Sequence, residues 1–251
     1  MTRADTIPAV STPELSIVIP AYNEARRLGP TLDRVDAYLR ARGGDHEILV
    51  VDDGSTDGTA RLVSAHGARG LRLVRQTENR GKGAALARGV AESRGRRVLL
   101  SDADLSTPIE EVETLEAHLE AGADLAVGSR AMEDSRVQVR QPLYRELMGK
   151  TFNRIIRFLG VRGVRDTQCG FKLLDGDVAR RLFAGLVTER FAYDVELIWL
   201  ARRAGHRVDE VGVTWVNSAD SRVHPLFDSW TMFKDVLLMR WRHRRDPRPH
   251  A

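Results

Sequence analysis

Blocks of apolar and polar positions alternate along this chain. Leu15-Ser16-Ile17-Val18-Ile19-Pro20 is a short apolar run closed by a proline that cannot donate to a ladder, which predicts a buried strand. From Asn23 or Glu24 a helix is predicted, because Leu28, Leu32, Val35 and Leu39 recur at spacings of three and four. Glu47 to Val51 reads as a second strand, Thr59 to His66 as a short helix and Leu71 to Arg75 as a third strand. A glycine-rich turn, Asn79-Arg80-Gly81-Lys82-Gly83, leads into a helix over Ala84 to Ser93. Arg97 to Ser101 is the next strand, Pro108 to Glu120 a helix with proline in its first turn, and Asp124 to Gly128 another strand.

Strands alternating with helices at this spacing describe βαβ units and a mostly parallel sheet, an α/β fold with helices on its faces. Right-handed crossovers then place ligands beyond the carboxyl ends of the strands. After Arg130 the pattern changes. Leu143 to Leu159 reads as a helix, Val164 to Leu174 as irregular or β, Asp177 to Phe183 and Val195 to Arg203 as helices, and Arg207 to Trp215 as a strand. No Pro/Gly/Ser-rich linker and no repeat interrupts the chain. It is expected to be a flexible N-terminus over 1–14, one domain over 15–240 with halves 15–130 and 131–240, and a frayed basic tail over 241–251.

Composition narrows the class. The 251 residues suffice for one large domain, with 42% hydrophobic and 29% charged residues as in soluble globular proteins. Lys and Arg exceed Asp and Glu by only 39 to 35, and no basic stripe interleaved with aromatics argues for nucleic acid. A lone cysteine, Cys169, excludes an internal disulfide and suits a reducing compartment. No run reaches the roughly 18 apolar residues of a membrane-spanning helix, and Met1 to Glu14 lacks the apolar core of a signal peptide. The expected location is the cytoplasm, with contact to a membrane face left open.

The candidate chemistry lies where strands end. Asp102-Ala103-Asp104 follows Val98-Leu99-Leu100, and residues two apart in an extended segment point to the same side. Two such carboxylates can share one Mg²⁺ or Mn²⁺ and leave sites for diphosphate oxygens; the plainer reading is helix capping or solvation. Asp52-Asp53-Gly54-Ser55-Thr56-Asp57-Gly58 is not a calcium loop, because Ser64 stands where the twelfth-position glutamate belongs. It is either a strand-to-helix turn capped by Asp57 or a place where Asp52 or Asp53 accepts N–H groups of a nucleobase. Gly81-Lys82-Gly83 matches neither a P-loop nor a dinucleotide fingerprint, since Gln76, Gly83 and Leu86 occupy required positions. Lys82 and nearby N–H groups can still meet a phosphate or a base. Glu24 is either a first-turn residue favoured by the helix dipole or a ligand for a ribose diol beside Tyr22.

Ser16-Ile-Val-Ile-Pro-Ala-Tyr-Asn-Glu24, Val50-Val-Asp-Asp-Gly-Ser-Thr-Asp-Gly-Thr59 and Asp102-Ala-Asp104 resemble, in order, the signatures of family-2 inverting glycosyltransferases of GT-A fold. Asn79-Arg-Gly-Lys-Gly-Ala84, Asp102-Ala-Asp-Leu-Ser-Thr-Pro108, Gly128-Ser-Arg130, Asp166-Thr-Gln-Cys-Gly-Phe-Lys172 and Phe191-Ala-Tyr-Asp-Val-Glu-Leu197 resemble the dolichyl-phosphate β-glucosyltransferase branch. The resemblance spans residues 15–240. It implies a nucleotide-sugar-binding half over 15–130 and an acceptor half over 131–240. Pro20, Tyr22, Glu24, Val51 and Asp53, with Asp52, would then line the nucleoside pocket, with Lys82 near the base. It further implies Asp102, Ala103 and Asp104 at the metal and diphosphate, Arg130 at a phosphate, and Gln168, Cys169 and Gly170 beside the sugar. Two features depart from the branch: its eukaryotic members carry an N-terminal membrane anchor that residues 1–14 do not resemble, and Val216 to His224 is only loosely like its acceptor loop.

The implied reaction moves a hexose, glucose from UDP-glucose foremost, to a polyprenyl or dolichyl phosphate by a single displacement. Asp102, Asp104 and Arg130 stabilise the leaving diphosphate. GDP-mannose or UDP-N-acetylglucosamine as donor and a glycan hydroxyl as acceptor stay open. A hydroxyl would need a base, for which Asp194 or Glu196 are candidates, both equally readable as helix caps. Arg165, Lys172 and Arg222 are candidate acceptor cations or solvated charges. Cys169 reads as a small packing residue. A nucleotidyltransferase would carry a glycine-rich turn where Ala21-Tyr22-Asn23-Glu24 stands, and a binding protein without turnover fits poorly with an intact Asp102/Asp104 pair. Trp230, Phe233, Leu237, Leu238 and Trp241, with Lys234, Arg240, Arg242, Arg244 and Arg245, describe a helix that either lies on anionic lipid or packs on the core.

Overall fold

Strand β2 (His46–Asp53) is buried at every position and β1 (Leu15–Ala21) at all but Pro20, as strands covered on both faces must be. The computed structural model describes residues 12–137, 163–216 and 225–245. The other strands are β3 (Leu71–Gln76), β4 (Arg97–Leu100), β5 (Leu125–Ser129), β6 (Arg136–Val137), β7 (Lys172–Asp175), β8 (Val208–Gly212) and β9 (Thr214–Trp215). Among the described residues they form a seven-stranded sheet, in the order β3-β2-β1-β4-β7-β5-β8, and a small β6-β9 pair. Only β7 runs antiparallel to its neighbours in the large sheet.

Alternation of side chains feeds two cores. Ile17, Ile19, Ile48 and Val50 point to one face and meet α1 (Leu28–Arg42) and α4 (Val112–Glu120) through Leu28, Leu32, Val35 and Leu115. Val18, Leu49 and Val51 point to the other, against α3 (Lys82–Glu92), α5 (Gly176–Ala184) and α6 (Tyr193–Arg203). Each fully buried Val, Leu or Ile contributes about 1.5–3 kcal/mol of transfer free energy, so this three-layer sandwich is where the stability resides. Helix α3 lies close to the sheet because Gly89 faces it, where a Cβ would come 2.4 Å from Val18 Cγ1. Helix α2 (Thr59–Ala65) and α7 (Pro225–Arg245) complete the α-helices of the described residues. No helix among the described residues is long and apolar enough to cross a membrane.

Several expected boundaries move. Helix α1 starts at Leu28, not Asn23 or Glu24, because Asn23 adopts φ 56° and its side-chain oxygen takes the N–H of Thr56, tying two strand-end turns together. A 3₁₀ turn, Ile109–Glu111, precedes α4. The strand expected over Arg207 to Trp215 breaks at Val213 into β8 and β9, and of the segment Val164 to Leu174 only its end enters β7. Pro13 and Glu14, expected in a flexible terminus, are fixed: their carbonyls accept from Arg96 and Arg97. Helix α7 continues to Arg245 where a frayed tail was expected, because His243 is buried against Glu196. The helix predicted over Leu143 to Leu159 lies outside the described residues.

Candidate active site

Parallel strands that end together bring Tyr22 to Glu24, Asp52 and Asp53, Asp102 to Asp104, and Ser129 with Arg130 to one edge of the sheet. The register places Ala21 opposite Asp52, and Ser101 donates to Val18 O (3.1 Å). Strand β7 is antiparallel, so the chain enters it at this same edge, carrying Asp166 to Lys172 with it: Lys172 pairs with Leu100 and Val127.

Lys82 Nζ lies 2.5 Å from Asp102 Oδ1. Burial works against both charges, and their mutual attraction outweighs it: the Lys82 ammonium is held above its ordinary pKa, with help from Asp194, and the Asp102 carboxyl below its own, with help from Lys172 and Arg130. Gly170 makes room for this pair, because a Cβ there would sit 2.2 Å from Asp102 Oδ2. The turn that delivers Lys82 is held by Asp53, which accepts the N–H groups of Arg80 (2.9 Å) and Gly81 (2.8 Å) and the Gln76 amide (2.8 Å). Burial raises the Asp53 carboxyl despite these bonds. Asp52 accepts from Ser55 N, while its buried Oδ2 takes no hydrogen bond and has Arg75 Nε 3.6 Å away.

Asp104 accepts from Ser106 N and faces Arg27 Nη1 at 3.6 Å. Arg27 also grips Glu24 with two bonds of 2.7 and 2.6 Å. Sequence reasoning missed Arg27; its signal was the Glu24–Arg27 spacing of three, which lets an acid and a base meet on one turn. The carbonyl of Ala103 is pinned by Thr31 Oγ1 at 2.8 Å. Tyr22 is exposed at the rim, whereas the Val51 side chain is wholly in the core and can offer a nucleoside only its backbone.

Arg130 is fixed in orientation. Its N–H, Nε and Nη2 all donate to Asp166, at 3.0, 2.7 and 2.9 Å, and its guanidinium stacks 5.4 Å from the centre of the Trp215 ring. Asp166, the first residue of the Asp166–Lys172 motif, is therefore what aims Arg130. Its carboxyl, buried but paired, is held below the ordinary range by that arginine. Gln168 donates its N–H to Asp166, and Cys169 is buried, its thiol pushed up by desolvation. Such a thiol is a packing residue.

The two candidate bases are both engaged. Asp194 is buried and ion-paired with Lys172, which also donates to Cys169 O (2.6 Å). Glu196 accepts the N–H groups of Val187 and Thr188 at 2.9 and 2.8 Å and meets His243 Nε2 at 2.6 Å, so it anchors a turn rather than a reacting group. Neither caps its helix as expected. Lys172, expected to be an acceptor cation or a solvated charge, is wholly buried; Arg165 lies at the surface, and Arg222 lies outside the described residues.

Asp102 and Asp104 offer the hard carboxylate oxygens that Mg²⁺ or Mn²⁺ take, and among the described residues no three His, Cys, Asp or Glu side chains converge on one point. That donor set fits an ion held in part by a substrate's diphosphate.

Solved structures with this architecture include glucosyl-3-phosphoglycerate synthase from Mycobacterium tuberculosis in complex with UDP. It has a TM-score of 0.69 at 22% identity, covering 90% of this chain and 80% of that one. Mannosyl-3-phosphoglycerate synthase from Rubrobacter xylanophilus aligns with a TM-score of 0.67 at 23% identity, over 94% and 75%. The fold is thus that of the GT-A glycosyltransferases, and this chain's family makes it a glycosyltransferase enzyme. It belongs to glycosyl transferase family 2, whose domain matches residues 16–183. Within that family it is similar to the dolichyl-phosphate beta-glucosyltransferase of Homo sapiens, 35% identical over 259 residues, 96% of this chain and 80% of that protein. The Saccharomyces cerevisiae protein of the same name is 32% identical over 246 residues, 90% and 74%.

Proposed function

We propose that this chain transfers glucose from UDP-glucose to a polyprenyl or dolichyl phosphate, with inversion at the anomeric carbon, on the cytoplasmic side of a membrane. The similarity to dolichyl-phosphate beta-glucosyltransferases over nearly the whole chain supports the sugar and the acceptor. One observation of geometry carries the acceptor class: Asp194 and Glu196, the carboxylates that the sequence offers as bases for a hydroxyl nucleophile, are both buried and occupied. A phosphate monoester is already anionic at pH 7 and needs no base.

In this reading a lone pair on a phosphate oxygen of the acceptor forms the new bond to the anomeric carbon as the bond to UDP breaks, and the pair of the broken bond leaves on the diphosphate oxygen of UDP. The cost is the new charge on the departing diphosphate. Lys82 and Arg130 meet that charge from fixed positions, the first braced by Asp53 through its turn and the second by Asp166. A preorganised donor of this kind contributes about 3–4 kcal/mol to the barrier. Asp102 and Asp104 would hold Mg²⁺ or Mn²⁺, which, when bound, supplies Lewis-acid stabilisation of the leaving group. Asp52, with an unused buried acceptor, and Tyr22 at the rim are the groups for the nucleoside, and Glu24 would share its carboxylate between Arg27 and the ribose.

A screen of UDP-glucose, UDP-N-acetylglucosamine and GDP-mannose with polyprenyl phosphate, products read by mass spectrometry, tests the proposal. Glucosyl phosphopolyprenol formed from UDP-glucose is expected. Transfer only to glycans, or only from another donor, would overturn the corresponding half.

A further inference from the structure

Helix α7 has two apolar faces, one buried and one exposed. Val236, Met239 and His243 point inward, His243 to Glu196 and across the Trp199 ring at 5.1 Å. Leu237, Leu238 and Trp241 point outward and are 44, 51 and 50% exposed. At 100° per residue the outward three span about one third of the helix circumference. Arg242 and Arg244 flank that stripe on its two sides, and Lys234 stands at its start. From Lys234 to Arg245 the helix carries Lys234, Arg240, Arg242, Arg244 and Arg245 against a single acid, Asp235. Asp235 lines a cavity of about 370 Å³ with Arg190, Arg242, Leu238 and residues of the 187–189 turn, and burial pushes its carboxyl up.

Exposed leucines and a tryptophan bordered by cations match an anionic bilayer surface: apolar side chains enter the acyl boundary while arginines remain among headgroup phosphates. A second copy of the chain fits worse, since a twofold contact here would set these cations against their own duplicates. We infer that the outward face of α7 is a docking surface for anionic phospholipid, which holds the enzyme against the bilayer.

The position of α7 gives that docking a purpose. The turn over 187–189 that it packs against is the one that supports the Lys82 loop: Ala84 donates to Glu189 O at 2.9 Å, and a Cβ on Gly83 would strike Thr188 O at 2.6 Å. The lipid-contacting helix is thus two contacts from the phosphate-facing lysine. For the lipid acceptor the inference rests on the proposed function; for membrane binding it does not.

Flotation of the full chain with phosphatidylcholine vesicles containing about 30% phosphatidylglycerol tests it. Wild-type protein is expected to float, and a Leu237→Gln/Leu238→Gln/Trp241→Gln variant to bind at least roughly tenfold more weakly. That variant should turn over a water-soluble short-chain polyprenyl phosphate at the wild-type rate. Lys234→Glu/Arg244→Glu, which leaves every apolar contact in place, should lose roughly fivefold per charge and lose it only on anionic vesicles. Flotation of both variants like wild type, absence of wild-type flotation, or a dimer that forms through Trp241 without vesicles would each overturn the inference. Flotation lost in the variants, with no polyprenyl phosphate glycosylated by any of the proteins, would uphold the docking surface and sink the acceptor assignment instead.

Discussion

Lys172 and Asp194 form an ion pair in the protein interior, the lysine fully buried and the aspartate 4% exposed. The lysine's Nζ is also bonded to Cys169 O and lies 5.9 Å from the centre of the Tyr193 ring. A pair this dry is costly to half-remove and cheap to remove whole. Lys172→Met should destabilise the fold by about 3–5 kcal/mol by stranding a carboxylate, and Lys172→Met/Asp194→Leu should recover most of it. Urea unfolding of these two variants and of Asp194→Leu measures this; strictly additive losses would mean that the pair is not coupled.

Gly170 is where packing and chemistry meet. With Asp102 Oδ2 only 2.2 Å from any added Cβ, Gly170→Ala must push the carboxylate from Lys82 or lift the backbone. A displacement near 1 Å at a reacting group costs about a hundredfold in rate, and such overpacking about 1–3 kcal/mol in stability. Steady-state kinetics beside thermal melts should show kcat falling far more than stability. Equal and small effects on both would place Gly170 outside the site.

Much of this edge was legible in the sequence because it is built from local patterns. Apolar runs that end in acids or glycine announce strands pointing at one rim; Asp102 and Lys82 stood out as candidates from their turns, and Arg130 from the family resemblance alone. What the sequence hid is non-local. The spacing of three pairs Arg27 with Glu24, but nothing near it says that it also reaches Asp104, and nothing near Asp166 says that it aims Arg130, because those two pairings depend on which strands lie side by side. The antiparallel β7 was hidden for the same reason. Its run Lys172–Asp175 carries a buried lysine, which hydropathy alone assigns to the surface. Asp194 and Glu196 read equally as bases or as helix caps because their partners, Lys172 and His243, lie far away along the chain.

Arg130 and Asp166 offer a test of positioning apart from charge. Asp166→Asn keeps the side-chain volume and leaves the guanidinium its charge but not its aim. It should cost about 2–3 kcal/mol of stability. The larger effect should be on kcat, roughly a hundredfold, with KM for UDP-glucose changed little, since transition-state charge is what Arg130 meets. A variant that raises KM alone would make Arg130 a ground-state anchor for the donor.

Chelation separates the roles of the acidic pair. With EDTA present turnover should vanish and return on adding Mn²⁺ or Mg²⁺, and Asp104→Ala should stay inactive with either ion. Because the site is at the rim of the sheet, the melting temperature of Asp104→Ala should lie within a few degrees of wild type. Full activity in EDTA would remove the metal from the reaction.

The pH profile follows from the directions in which the Lys82–Asp102 pair is shifted. Asp102 is held below its ordinary value, so its contribution is present above the unfolded pKa of about 3.9 and disappears only as pH falls through the lower folded one. Lys82 is held above its own, so its contribution is present below the unfolded pKa of about 10.4 and disappears only as pH rises through the higher folded one. Between about pH 4 and 10 the pair therefore does not titrate. The group that does is the acceptor, whose second phosphate pKa is about 6. With polyprenyl phosphate, kcat/KM should rise with unit slope below about pH 6, level off, and stay flat to about pH 9. An alkaline fall within that range, measured with the stability constant, would place in the enzyme a group that must stay protonated for turnover and would overturn this account.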